Sequence, residues 1–360
     1  MPHPPRRDAR DERDSGAPPR RQRPKIGLAL GAGVARGWAH IGVVRRLAEK
    51  GIPVDVVAGT SIGAVVGGAL AADRVDALED WVHQLSGGNF LRFLDLRFGR
   101  GGLFGGEKLR DLMEDNFAGM TFGDTRVPFT AVSTELKSGH EIWLTEGALA
   151  PAIQSSFALP GVFEPVKIGR RWLVDGALVN PVPTSVCRAA GCDLVIAVNL
   201  AEDFYGRRRA TRAGALAKGH PAQNATAAPE NTDSSTLDDE GIDDGFGVFS
   251  EWDTAATSPD TRVERKENRF FLRRLMRHRA DAPSLFANMV ASLNIMQNRL
   301  SRSRLAGDPP DITITPRCGH VGLMEFHRGE ELITEGRRAF DAEEADLMDA
   351  LAIITHRMNS

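Results

Sequence analysis

Val54-Asp-Val-Val-Ala-Gly59-Thr-Ser61-Ile-Gly63-Ala-Val-Val-Gly-Gly-Ala69 is an apolar run broken by a single hydroxyl cluster. The β-branched residues before Gly59 suit a buried strand. The Ala, Gly and Val residues after Ser61 suit a helix packed closely on a sheet. The stretch therefore predicts strand, sharp turn and helix, with Ser61 in the turn. Gly59 and Gly63 flank it as Gly-x-Ser-x-Gly, a pattern whose glycines permit a strained turn and keep Cβ atoms away from an exposed Oγ. Two readings fit the pentapeptide alone: a nucleophilic serine at an elbow, or a tight turn whose Ser or Thr caps the helix. Residues Val56 to Ala72 carry no charge and approach the length of a membrane span. Asp55 and Asp73 bracket them, and Gly and Ala outnumber Leu and Phe, so burial in a globular sheet is the expectation.

Upstream, Lys25 to Leu30 reads as a short strand that delivers Gly31-Ala-Gly33-Val-Ala-Arg36-Gly37. Trp38 to Lys50 then has helical spacing and stops at Gly51. Two βα units in succession predict a parallel sheet. Strand, Gly-x-Gly and helix also open a dinucleotide-binding fold. Here the third glycine comes late, at Gly37, and strand two ends in Gly-Thr-Ser-Ile-Gly where an acidic ribose ligand would stand. No Gly-Lys-Ser/Thr follows, which argues against a P-loop.

Downstream, helices are expected over Val75 to Leu85 and Glu107 to Phe117, with a loop at Arg97 to Gly106. Strands are expected over Pro128 to Glu135 and His140 to Leu144, joined at Lys137-Ser-Gly139. A short helix, Leu149 to Phe157, precedes a strand pair that turns at Gly169 and leads into Asp175-Gly176. Cys187 lies on the next helix, and Asp193 to Leu200 suits the sheet interior.

A chain of 360 residues with 42% hydrophobic content can bury a sizeable core, and a net charge of −3 gives no bulk attraction to nucleic acid. Cys187, Cys192 and Cys318 lack metal-ligand spacing and form no disulfide framework, so they suggest a reducing compartment. Residues 1–24 are Arg- and Pro-rich without the apolar core of a signal peptide, and read as a disordered basic tail. The Arg6-Arg7 and Arg20-Arg21 pairs match a twin-arginine signal only in part, because one short strand and a glycine turn follow Arg21. Residues 202–267 turn to Ser, Thr, Asp, Gly and Pro without apolar period and read as a disordered insertion, first basic and then acidic. Residues 268–360 are expected to complete the domain formed by 25–201. They hold an amphipathic helix over Leu285 to Leu305 with a stripe of Leu285, Met289, Leu293, Met296 and Leu300, a strand at Asp311 to Thr315, and helices at Arg328 to Phe340 and Asp341 to Ile354.

A serine nucleophile needs a base, donors for an oxyanion and a wall against water. The Gly31-to-Gly37 loop offers backbone N–H groups at a helix N-terminus, and Arg36 adds a charge near them. Among the nine histidines, His40, His83, His140, His320 and His327 each read better as structural than as bases. Asp175 ends a strand before Gly176 and could take a serine proton directly if oriented and partly desolvated. A turn-forming Asp-Gly is the competing reading.

Taken in order, Gly31-Ala-Gly-Val-Ala-Arg-Gly37, Gly59-Thr-Ser-Ile-Gly63 and Asp175-Gly-Ala177 resemble the patatin-like phospholipases, in particular the bacterial branch related to the neuropathy target esterase catalytic domain. The resemblance covers Lys25 to Leu200 strongly and the segment after Phe270 loosely. It implies an α/β fold, a patatin-like three-layer sandwich with a central, mostly parallel sheet, and a Ser–Asp dyad in place of a triad. Ser61 then maps to the nucleophile and Asp175 to its base. Gly31, Ala32 and Gly33 map to the oxyanion hole with Arg36 in support, and Gly59 and Gly63 to the elbow. Ser156 to Pro165 matches the segment before the dyad aspartate and is expected to wall the acyl pocket. Ala32 departs from the glycine common in the loop, and the 202–267 insertion has no counterpart role. The expected activity is hydrolysis of fatty-acyl esters of phospholipids or lysophospholipids, with no cofactor and no metal. The expected setting is cytoplasmic, with peripheral membrane contact; Asn89 to Phe104, where Phe90, Leu91, Phe93, Leu94, Phe98 and Phe104 stand among basic residues, fits either such a contact surface or packing of those aromatics into the core. A non-catalytic regulator or adaptor that keeps the fold is the alternative.

Overall fold

The computed structural model describes residues 23–86, 113, 116–201 and 285–360. The expected tail except Arg23 and Pro24, the 89–104 surface, the 97–106 loop, most of the 107–117 helix and the 202–267 insertion lie outside these residues.

The strands are β1 (Ile26–Leu30), β2 (Val56–Thr60), β3 (Phe129–Glu135), β4 (Glu141–Leu144), β5 (Val166–Ile168), β6 (Arg171–Asp175), β7 (Leu194–Val198) and β8 (Ile312–Ile314). The helices are α1 (Ala39–Glu49), α2 (Ile62–Ala71), α3 (Val75–Ser86), α4 (Leu149–Ser156), α5 (Thr184–Ala189), α6 (Leu285–Gly307) and α7 (Gly329–Asn359). One sheet holds all eight strands in the order β5-β6-β3-β2-β1-β7-β8, with β4 also on β3. The run from β3 through β2, β1 and β7 to β8 is parallel, and β4, β5 and β6 are antiparallel additions.

Alternation along the central strands sends their side chains to two cores, as a sheet covered on both faces requires. Ile26, Leu28, Leu30, Val57, Phe129, Leu194, Ile196 and Ile314 point to one face, under α1, α2, α3, α4 and α7. Ala29, Val56, Ala58, Val132, Val195 and Ala197 point to the other, with Val186 and Cys187 of α5. The three-layer α/β expectation holds for this arrangement. β2 begins two residues later than the β-branched run suggests, so Thr60 belongs to the strand and Ser61 directly follows it.

Two expectations need correction. The stripe on α6 is buried only in part: Met289 and Leu293 pack against the group around Val34, Met296 is 62% exposed, and Val290, Asn298 and Ser301 are buried besides. Further along, the helix lies on polar backbone, with Asn298 Nδ2 donating to Ala201 O and Arg304 Nε to Val179 O, so polar side chains share its inner face there. The two terminal helices are one, because neither Gly nor Pro interrupts the chain at Phe340–Asp341 and Asp341 pairs with Arg46 of α1.

Candidate active site

The site is assembled on one edge of β3. β2 runs parallel to β3 and ends with Thr60 opposite Val132. β6 runs antiparallel to β3 and ends with Asp175 opposite Ser133. β4 occupies the other edge over the same residues, so β2 and β6 share the first edge and meet head to head. Chain ends arriving from opposite directions at neighbouring positions bring Ser61 and Asp175 together across 114 residues of sequence. Ser61 Oγ donates to Asp175 Oδ2 at 2.6 Å.

Ser61 is held at φ 59° and ψ −126°, a region that costs a non-glycine residue on the order of 1–3 kcal/mol and persists only where neighbours fix it. The flanking glycines make that turn sterically available. A Cβ on Gly59 would lie 2.4 Å from Gly63 O, and one on Gly63 would lie 2.1 Å from Leu30 O. The turn removes the Ser61 N–H from regular pairing, and Ser156 takes it. Ser156 Oγ accepts from Ser61 N at 3.0 Å and donates to Val132 O at 2.5 Å, tying the elbow to β3. Ser156 was expected only as pocket wall. Its contact is with backbone, which no side-chain motif encodes.

Asp175 is buried, and desolvation raises its pKa from 3.8 to about 7 against the opposing hydrogen bonds from Ser61 and from Ala177 N–H. The Ala177 N–H holds Oδ1 at 2.8 Å, leaving Oδ2 for the serine. The chain after Asp175 then secures the other two motifs. Asn180 O accepts from Thr60 Oγ1 at 2.9 Å, and Pro181 O accepts from Ala32 N–H at 2.8 Å. One turn thus touches strand end and glycine loop alike.

Within that loop the backbone amides divide. Gly31 N–H donates to Val198 O at 3.1 Å and Ala32 N–H to Pro181 O, so both are committed inside the protein. Gly33 and Val34 N–H have no acceptor among the described residues. Arg36 is buried, and its Nε donates to Val321 O at 2.8 Å, towards the segment after β8. The loop abuts the elbow, since a Cβ on Gly37 would meet the Ile62 side chain at 2.1 Å. Val34 packs with Leu159, Val162, Val290 and Met324, an apolar group beside the loop that draws on the 156–165 segment. Of the histidines, His83 and His140 are exposed, His320 pairs with Glu331, and His40 is fully buried with Nε2 2.7 Å from Gly31 O. Its Nδ1 has no hydrogen-bond partner among the described residues.

A serine whose Oγ is bonded to a buried carboxylate, beside unpaired N–H groups at a helix start, can attack a carbonyl and hold the resulting oxyanion. The chain is similar to several known proteins. The family model described as patatin-like phospholipase matches residues 28–188. A Mycobacterium bovis protein described as an uncharacterized NTE family protein is 33% identical over 335 residues, covering 90% of this chain and 93% of its own. The neuropathy target esterase sws of Drosophila melanogaster is 33% identical over 183 residues, 49% of this chain and 13% of that one. The crystal structure of VipD from Legionella pneumophila aligns with 55% of this chain and 54% of its own at 13% identity and a TM-score of 0.33.

Proposed function

The chain belongs to the patatin-like phospholipase family, in its NTE branch, and from that premise we propose a serine acyl hydrolase that cleaves fatty-acyl esters of phospholipids or lysophospholipids. The observation that carries this reading is the 2.6 Å hydrogen bond from Ser61 Oγ at a strained elbow to Oδ2 of buried Asp175. Ser61 Oγ attacks the ester carbonyl carbon while its proton passes to Asp175 Oδ2. The N–H groups of Gly33 and Val34 receive the oxyanion. The alcohol departs with the proton from Asp175, leaving acyl-Ser61. Water then attacks the acyl carbon, Asp175 takes its proton, and the fatty acid leaves as the serine is restored.

Burial supports Asp175 as the base, because an ordinary carboxylate near 4 is too weak to draw a serine proton at neutral pH, while one near 7 is better matched. Gly31 and Ala32 act through loop shape, since their own N–H groups are occupied, and Arg36 acts by anchoring the loop to Val321. Among the described residues no helix is long and apolar enough to cross a membrane. The reading is of a cytoplasmic enzyme that meets lipid peripherally.

Purified protein should hydrolyse p-nitrophenyl butyrate and react with a fluorophosphonate at Ser61. Ser61→Ala should lose at least about a thousandfold in kcat and all labelling while keeping its thermal midpoint. Wild-type rates in Ser61→Ala would refute the dyad. A folded wild-type protein inert to both reagents would favour the adaptor. A panel of diacyl and lysophospholipids fixes the substrate class.

A further inference from the structure

His40 is not needed as a base when Asp175 fills that role, yet it sits fully buried in the first turn of α1, beside the glycine loop. Its Nε2 lies 2.7 Å from Gly31 O. A carbonyl can only accept, so Nε2 carries the proton. The ring is neutral, with desolvation holding its pKa down at about 4. Nδ1 is then a bare acceptor, and it has no partner among the described residues. An unpaired buried acceptor destabilises a fold, so this histidine is an expensive way to fill space.

The bond it makes falls where the loop needs it. Gly31 N–H is fixed by Val198 O and Ala32 N–H by Pro181 O. The carbonyl of the peptide joining those two residues is held by His40. With that peptide pinned on both sides, the next amides, those of Gly33 and Val34, are left facing no acceptor among the described residues. Val34 keeps a φ of 52°, unfavourable for a β-branched residue, which persists only where its surroundings over-determine it. Packing of Val34 against Leu159 and Val162 is one such restraint. On the far side Ala35 N–H donates to Leu323 O and Arg36 Nε to Val321 O, and on the near side the loop is held by the His40 bond.

We infer that His40 is a positioning residue: its Nε2–H clamps Gly31 O and thereby holds the Gly33 and Val34 N–H groups in the arrangement that receives the oxyanion. The inference rests on the hydrolase reading for its catalytic consequence, and on hydrogen bonding alone for the clamp.

Two variants separate this from a space-filling role. His40→Met keeps volume and removes the donor. It also removes the orphan Nδ1 while stranding Gly31 O, so its thermal midpoint should stay within a few degrees of wild type. His40→Gln returns a side-chain N–H near the Nε2 position. The full chain and both variants are compared by kcat and KM on p-nitrophenyl butyrate and by amide hydrogen exchange of the peptide spanning residues 31–38. His40→Met should lose about 10–100-fold in kcat with KM within about twofold, and exchange faster in that peptide. His40→Gln should recover most of both. Unchanged exchange in His40→Met overturns the clamp whatever happens to kcat, as does a His40→Gln variant that recovers neither. A wild-type protein inert towards the ester would overturn the hydrolase reading alone, because the exchange comparison still decides the clamp.

Discussion

At Asp175 the requirements of stability and chemistry oppose each other. The folded protein binds the Asp175 proton more tightly than the unfolded chain does, since burial lifts the pKa from 3.8 to about 7. Its contribution to stability is therefore whole below about pH 4 and is lost as pH rises through about 7. The proposed mechanism needs the ionised form, so activity should rise across the upper part of the interval in which this contribution fades. Asp175→Asn should be inactive and, at pH 8, melt a few degrees above wild type, with the difference shrinking at pH 4 as the native carboxyl is protonated. Calorimetry at the two pH values checks this, and an Asn variant less stable than wild type at both would contradict it. Ser61 and Asp175 could be picked out in sequence because their chemistry resides in side chains within short patterns. Ser156 and His40 could not be placed, because each serves a backbone atom of another segment, and sequence does not say which amide or carbonyl a turn leaves unpaired.

Among the elements, the contact between α1 and α7 fixes how the glycine loop is supported. The helices cross where their backbones touch: a Cβ on Gly336 would lie 1.9 Å from Ala39 O, and one on Gly42 would lie 2.0 Å from Ile333 O. Arg46 with Asp341 and Arg337 with Glu49 form the rim of this crossing. Gly336→Leu should cost more than about 3 kcal/mol, lowering the urea midpoint, because rigid backbone has no room to yield. Gly307→Ala is the control, having nothing within 4 Å of the added carbon. The crossing also bears on why α7 is a single helix where the sequence reads as two. Its buried residues Leu332, Ile333, Gly336, Phe340 and Leu347 mark a contact line set by α1 and the sheet. Similarly, α6 meets an apolar group with Met289, Val290 and Leu293 but carbonyl groups with Asn298 and Arg304, so its apolar stripe does not run the length of the contact.

For the molecule as a whole, the matched family segment, residues 28–188, stops short of a closed core. β7 pairs with β1 beyond that limit and β8 pairs with β7. Ile312, Ile314, Val321, Leu332, Ile333 and Phe340 belong to the same core as Ile26, Leu28 and Leu30. A chain truncated after Gly307 would lose β8 and α7 and uncover that face, so it should be recovered aggregated or without near-ultraviolet dichroism. A soluble, cooperatively melting truncation would show the C-terminal segment to be dispensable. By itself the sequence determined the βα order, the two-faced burial of the sheet and the identities of the residues offered for chemistry, because strand alternation, glycine turns and side-chain type are local properties. Tertiary structure alone decided that β2 and β6 meet end to end on β3, which loop amides stay unpaired, and that burial lifts Asp175 towards neutrality, because each depends on what distant chain segments place within a few ångströms.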